Sequence, residues 1–503
     1  MALEFLVPYP RKLTLRKTTF ARPKRMRVNA GDGCGAVAKS LASDLRGLAG
    51  LTVSRAAPFA IELRLKERSA RREGYRLALG QGGAEVTAAD EPGLFYGVQT
   101  LLQILVLGDP AALPTVRIID WPEYRTRSFM VDLGRSIFQP VLLRRIVRIL
   151  ARLKMNTLHL HLNDDELNGL RFDRLPLGTE NPEAITLADL ADLVRYARRF
   201  HVTVLPEIEC WGHAASFLYH FPELHGGPGM WGGMSFGIGE PLFDFFEAVF
   251  DELVPVLETD CPVHVGLDEA TWATLPGVPK SKRRDYTPTK LVERLYDLLE
   301  RVGDRHGRQI TMHLWADHGG RPIPARLRRR VVVEPWMYWE FRERDIRAKL
   351  RRWGGRGKPR LMMGAGMSSG HFGGHFGATR VWCQGAVGLP NVEGVTVCLW
   401  EDNDLPEKMI GLYGGADYAW SPESPEREAK DVVNEMLHMR LGVRMRKWQA
   451  AFKDADDASI RADRGPHVYR GLYCWGDRAG QPVAPTVLFK VCSEDDTEGA
   501  MLG

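Results

Sequence analysis

Asp268 and Glu269 stand side by side at the end of the short run His264-Val265-Gly266-Leu267. Side chains alternate along an extended strand, so neighbouring carboxylates leave it in different directions and can address two atoms of one bound substrate. A pair flanking one bond from opposite sides would normally come from separate elements. The adjacent pair therefore fits a division of labour in which one carboxylate holds a substrate group and the other moves a proton. Taken alone, an Asp-Glu dipeptide is more often an ordinary solvated loop start, and the surrounding chain has to decide between the two accounts.

The elements that would position the pair recur from about residue 127 onward, where short β-rich runs alternate with amphipathic helical patterns. The runs are Ser128 to Leu133, Thr157 to Leu162, Thr203 to Ile208, Val263 to Leu267, Gln309 to Trp315, Val331 to Trp336, Arg360 to Gly364 and Val395 to Trp400. Between the first two, Leu142, Leu143, Ile146, Ile149, Leu150 and Leu153 fall at helical spacing after Pro140, and Thr186 with Asp189 forms a capping pattern for a helix running to Phe200. Eight strands alternating with helices predict a (β/α)8 TIM barrel, an α/β fold whose chemistry sits at the C-terminal strand ends. Polar residues fall there: Arg135 after strand one, Asn163, Asp164 and Asp165 after strand two, Glu209 and His213 after strand three, Asp268 and Glu269 after strand four. Trp315, Trp336 and Trp400 end strands five, six and eight. A single tryptophan there could be plain packing. Three on one rim beside clustered carboxylates suit the C–H face and the hydroxyls of a sugar ring.

Up to about residue 120 the pattern differs. Alternation in Ile61 to Leu65 and Tyr75 to Leu79 predicts half-buried strands, Gly97 to Leu107 predicts a covering helix, and Trp121-Pro122 marks a junction. The expected organisation is a small α+β domain over 1–122, the barrel over 123–441, and a tail of unknown role over 442–503, whose charged and turn-forming composition predicts no regular structure.

Composition bounds the function. The 503 residues exceed what one core usually covers, and 44% hydrophobic with 26% charged residues are ordinary globular values. No run of about eighteen apolar residues suggests a membrane span. Met1 to Pro8 is too short for a secretory core, so a cytoplasmic location is expected. A net charge of +5 without a concentrated basic tract gives no reason to expect nucleic acid. Seven scattered cysteines form neither a disulfide framework nor a zinc ribbon, and no cofactor or metal is expected.

The chain resembles glycoside hydrolase family 20, the β-N-acetylhexosaminidases, over most of residues 1–420. Glu91 to Gln103 is similar to the segment closing that family's N-terminal domain. Val131 to Arg135, His159 to Asp165, Pro206 to His213 and His264 to Glu269 match its barrel motifs in order. The resemblance implies a retaining exo-β-N-acetylhexosaminidase acting on terminal β-linked GlcNAc or GalNAc of a glycan or glycoconjugate. The substrate's own acetamido oxygen would attack the anomeric carbon and form an oxazolinium, so no enzyme nucleophile is needed. By the same resemblance Asp268 holds the acetamido N–H, and Glu269 is the general acid and base, which requires a raised pKa. Arg135 would bind sugar hydroxyls, Asp164 and His213 would support Glu269, and Trp315, Trp336 and Trp400 would wall the pocket.

Three departures accompany the match. Trp211 stands where the family usually has Pro, and Gly364 to His371 lacks the Tyr and Asp that the family carries after strand seven. The Tyr that would donate to the acetamido oxygen is thus unassigned, with Tyr338 a candidate. Asp402, in Trp400-Glu401-Asp402, takes the place of a Glu that would bind outer hydroxyls, leaving the choice between GlcNAc and GalNAc open. Two competing readings remain: an N-acetylhexosamine-binding protein that has lost catalysis, and a metal-dependent barrel amidohydrolase using His159, His161 and His313. The oligomeric state is not legible.

Overall fold

The computed structural model describes residues 3–47, 50–66, 71–230, 233–317, 323–338, 342–353, 359–367, 377–400, 405–425, 467–473 and 486–492. The first part of the chain builds a seven-stranded sheet, with Phe59–Leu65 and Tyr75–Gly80 inside it. The alternation read in the sequence appears directly as burial, since Tyr75, Leu77 and Leu79 point inward while Arg76 and Ala78 face solvent. The covering helix spans Glu91–Leu107, starting before the expected Gly97. Asp90 caps it by accepting the Gly93 N–H, and Pro92 sits in its first turn, where a missing N–H costs nothing.

The second part closes into a barrel of eight parallel strands: β1 Thr126–Asp132, β2 Thr157–His161, β3 Thr203–Glu207, β4 Asp260–His264, β5 Gln309–Trp315, β6 Val332–Glu334 resuming at Trp336–Met337, β7 Arg360–Met367 and β8 Val392–Leu399. Each pairs in parallel with the next, and β8 returns to β1, so the sheet has no free edge. The helix after β1 spans Pro140–Arg152. The Thr186–Asp189 capping box forms in both directions at the start of Leu187–Arg198. No helix lies between β5 and β6 among the described residues.

Strand four differs from the expectation. It begins at Asp260 and ends at His264, not at Leu267, because Gly266, Leu267 and Glu269 take positive φ of 61°, 81° and 49°. The Asp268–Glu269 dipeptide therefore sits on a left-handed bend, and strand alternation is not what separates its two side chains.

The domains are stitched by buried polar contacts. Lys154, at the barrel's base, reaches Asp120 at 3.0 Å and the Tyr75 hydroxyl at 2.8 Å, and Arg127 meets Glu73 at 2.7 Å. In the tail, His467–Tyr473 and Thr486–Cys492 pair as an antiparallel hairpin, correcting the expectation of no regular structure. Runs such as Val487-Leu488-Phe489 have the β-branched and aromatic content that strands favour, which the flanking acidic and turn-rich segments mask in a composition-based reading. No helix among the described residues is long and apolar enough to cross a membrane.

Candidate active site

The polar ends of β1 to β4 converge. Arg135, from the loop after β1, meets Asp132 at 3.0 Å, Asp164 at 2.7 Å and Glu166 at 3.2 Å. Asp164 also accepts from His213, its Oδ1 lying 3.1 Å from Nδ1. The other nitrogen of His213 sits 3.3 Å from Glu269 and 3.8 Å from Asp268. The structure thus brings Arg135, Asp164, His213, Asp268 and Glu269 into one cluster at the C-terminal end of the barrel. His213 itself has φ of +48°, so the imidazole and the carboxylate it faces are both presented by left-handed backbone. Positive φ in non-glycine residues costs on the order of 1–3 kcal/mol each and persists only where the surroundings hold it. Here Glu269 N–H donates to Asp317 at 3.1 Å, Leu267 N–H to Glu209 at 3.3 Å and Gly266 N–H to His264 at 3.0 Å. Two glycines make the bend possible: a Cβ on Gly212 would run into the Asp268 carbonyl, and one on Gly266 would fall on the Glu209 carboxylate.

Burial pushes the pKa of Asp268 up to about 7, helped by the charges of Asp317 and Glu207 and opposed by His213. Glu209, packed beside it, is raised well above the carboxylate range by burial and then by the Asp268 and Glu207 charges. The two carboxyls therefore titrate as a pair, and Asp268 Oδ1 is buried without a hydrogen-bond partner. His213 is held well above the usual imidazole range despite burial, by Asp164 and then by its bonds to the neighbouring carboxylates. Asp164 lies well below the usual range although buried, because Arg135 and His213 face it.

The aromatic residues divide by depth. Trp315 is only 1% exposed, packed against Met130 and Cys398, and its indole N–H donates to Glu207 at 2.6 Å. Trp336 and Trp400 are partly open. Trp336 N–H donates to Asp317 at 2.9 Å, and Trp400 N–H to the Tyr338 hydroxyl at 2.7 Å. Tyr338 stacks on Trp336 at 5.4 Å, with its ring over Gly366 of β7, where a side chain would collide with it. Asp402 and the segment 368–376 lie outside the described residues.

Asp317 and Glu166 complete the cluster and were not singled out from the sequence, whereas Glu209 had been placed after strand three without a role and Tyr338 had been only a candidate. Asp317 carries the same signal as the others, a carboxylate just past a strand end, but Trp315 drew the reading of strand five. The core beneath holds further histidines. Glu207 lies 3.0 Å from His159, 2.8 Å from His161 and 2.9 Å from His264, and His313 meets Glu334 at 2.9 Å. The groups His159–Glu207–His264, His161–Glu207–Glu209 and Asp164–Asp165–His213 bring donor atoms within 4.8 Å of one another. His161 has a carboxylate oxygen on each ring nitrogen, an arrangement that favours the doubly protonated imidazolium.

The glycosyl hydrolase family 20 catalytic domain matches residues 124–352, and domain 2 of the same family matches residues 4–121. The chain is 31% identical to a β-N-acetylhexosaminidase of Cellulomonas fimi over 262 residues, covering 46% of this chain and 52% of that protein. It is 26% identical to a β-hexosaminidase of Porphyromonas gingivalis over 312 residues, covering 52% of this chain and 40% of that one. The chain spans about two-fifths to one half of the length of the curated relatives it matches. Among solved structures, it is similar to the family 20 β-N-acetylhexosaminidase of Streptomyces coelicolor, with a TM-score of 0.67 and 26% identity over 90% of this chain and 97% of that one. A Streptomyces plicatus N-acetyl-β-hexosaminidase in complex with Thio-NAglucal shares the fold at TM-score 0.67 and 24% identity, over 90% and 96% of the two chains.

Proposed function

Because this chain belongs to glycoside hydrolase family 20, we propose that it is a retaining exo-β-N-acetylhexosaminidase that releases terminal β-linked N-acetylhexosamine from a glycan or glycoconjugate. The observation that carries this reading is His213 standing between Asp164 and the Asp268–Glu269 pair, on the same barrel end as the partly open aromatic group Trp336, Trp400 and Tyr338.

The acetamido group presents one N–H and one carbonyl oxygen. Asp268 Oδ1, buried and unpartnered, is the acceptor for the N–H, and an ionised Asp268 stabilises the positive charge that grows on the ring as the oxygen attacks the anomeric carbon. Tyr338, whose hydroxyl accepts the Trp400 indole N–H at 2.7 Å, is the residue this reading assigns to the carbonyl oxygen. Glu269 gives its proton to the leaving glycosidic oxygen and recovers it from the water that opens the oxazolinium, a contribution of about 10²- to 10⁴-fold. Arg135, flanked by Glu166, binds ring hydroxyls as a charged donor.

The test is release of 4-nitrophenol from the β-N-acetylglucosaminide and β-N-acetylgalactosaminide by wild type, Glu269→Gln and Asp268→Asn, with and without chelator. Turnover that ignores chelator and drops at least about 10²-fold in both variants is expected. No wild-type turnover of either sugar would sink the hydrolase reading in favour of a binding protein, and chelator sensitivity would sink the metal-free mechanism.

A further inference from the structure

Beneath the site runs a continuous file of alternating carboxylates and imidazoles. Glu207 Oε2 lies 2.8 Å from His161 Nδ1, His161 Nε2 lies 2.7 Å from Asp164 Oδ2, Asp164 Oδ1 lies 3.1 Å from His213 Nδ1, and His213 Nε2 lies 3.3 Å from Glu269. We propose that His161, which is fully buried, is a positioning residue for Glu269: a cation locked between Glu207 and Asp164 that fixes, through Asp164 and His213, where Glu269 points and how tightly it holds its proton. This rests on the hexosaminidase reading above.

The geometry leaves His161 little freedom. It is fully buried at the end of β2, both nitrogens face carboxylates, and the Trp400 ring meets its ring edge-on at 5.0 Å. A neutral imidazole would turn one of those contacts into a lone pair facing a carboxylate in a dry interior. Burial opposes the charge, but Glu207, Asp132 and Asp164 outweigh it and hold the pKa at about 10. From the other elements, Arg135 faces the shared Asp164, His159 and His264 face the shared Glu207, and Asp165, Asp268, Glu209 and Asp317 surround the far end of the file at His213 and Glu269.

No proton travels along the file. When Glu269 protonates the leaving oxygen and becomes a carboxylate, His213 Nε2–H turns to donate to it, while Asp164 holds Nδ1–H and His161 keeps both protons. When water attacks, its proton returns to Glu269 and the file relaxes. The His161 charge keeps Asp164 ionised and in place, which in turn keeps the His213 ring aimed at Glu269.

The experiment compares wild type with His161→Gln, which fills similar space and can donate one hydrogen bond but carries no charge. Removing a buried cation raises the proton affinity of nearby acids. The alkaline limb of kcat/KM should therefore move up by about half to one pH unit. A weaker and less well-aimed acid should cost more on a poor leaving group, so kcat on chitobiose should fall about tenfold further than on the 4-nitrophenyl glycoside. A uniform loss on both substrates with an unmoved limb would show a merely structural role and overturn the proposal. Neutron diffraction from the wild-type protein covers the case in which the variant does not fold: deuterium on both His161 nitrogens is expected, and on only one would overturn it. Absence of wild-type turnover would instead defeat the hexosaminidase reading on which it rests.

Discussion

At the scale of single residues, the fold holds one carboxyl of the proposed site far from its ordinary pKa. Asp268 is held to a folded pKa of about 7, above an unfolded value of about 3.9. The raised value means that this group's contribution to stability is fully present below about pH 4 and is lost as pH rises to 7, on the order of 4 kcal/mol in all. Asp268→Asn removes the titration. It should therefore melt at a higher temperature than wild type at pH 8, with the difference growing between pH 4 and 7 and level above. In the wild-type enzyme the need for an ionised Asp268 should appear as an acidic limb of kcat/KM with its midpoint near 7, a property of the Asp268–Glu209 pair. Calorimetry across pH together with a pH–rate profile checks both, and a melting difference independent of pH would refute the assignment.

The bend after β4 is the element that the proposed chemistry makes critical. Gly266 combines a φ of +61° with a position where a Cβ would occupy the space of the Glu209 carboxylate. Gly307, capping the helix Pro288–His306, has a similar φ of +64° and open space around it. Substituting alanine at each separates strain from displacement. Gly307→Ala should cost about 1 kcal/mol of stability and leave kcat unchanged. Gly266→Ala should cost more and lower kcat at least about 10²-fold, because moving Glu209 disturbs Asp268. Equal kcat in the two variants would mean that the bend does not set the geometry of the acid pair.

For the whole molecule, the barrel and the first domain share their polar interior. Lys154 is buried with Asp120, and Trp420 and Tyr75 donate to the same carboxylate. Lys154→Met should destabilise by about 3 kcal/mol, the lower end for breaking a buried pair, since those two donors remain. The turnover number of the folded fraction should be unchanged, because the contact lies at the end of the barrel opposite the site. Differential scanning calorimetry and active-site titration measure the two quantities. A fall in kcat with no change in melting would contradict this division.

Much of this was readable in the chain alone because the signals are local. Eight apolar runs at regular spacing specify a barrel, Thr186 and Asp189 announce their helix, and residues such as Asp164, His213, Asp268 and Glu269 follow strand ends that one barrel rim must gather. The helix start at Asp90 and the break of β4 at His264 were misjudged, because a cap that also holds Glu73 and a bend held by Glu209 and Asp317 draw on residues distant in sequence. Tertiary structure alone could bring Asp317 to the backbone of Glu269, lay Tyr338 across Gly366, bury Trp315 against Glu207 and join Glu207 to Glu269 through two histidines. A sequence orders side chains along a strand, whereas hydrogen bonds and charges act across the barrel, where closure sets side chains from separate strands a few ångströms apart.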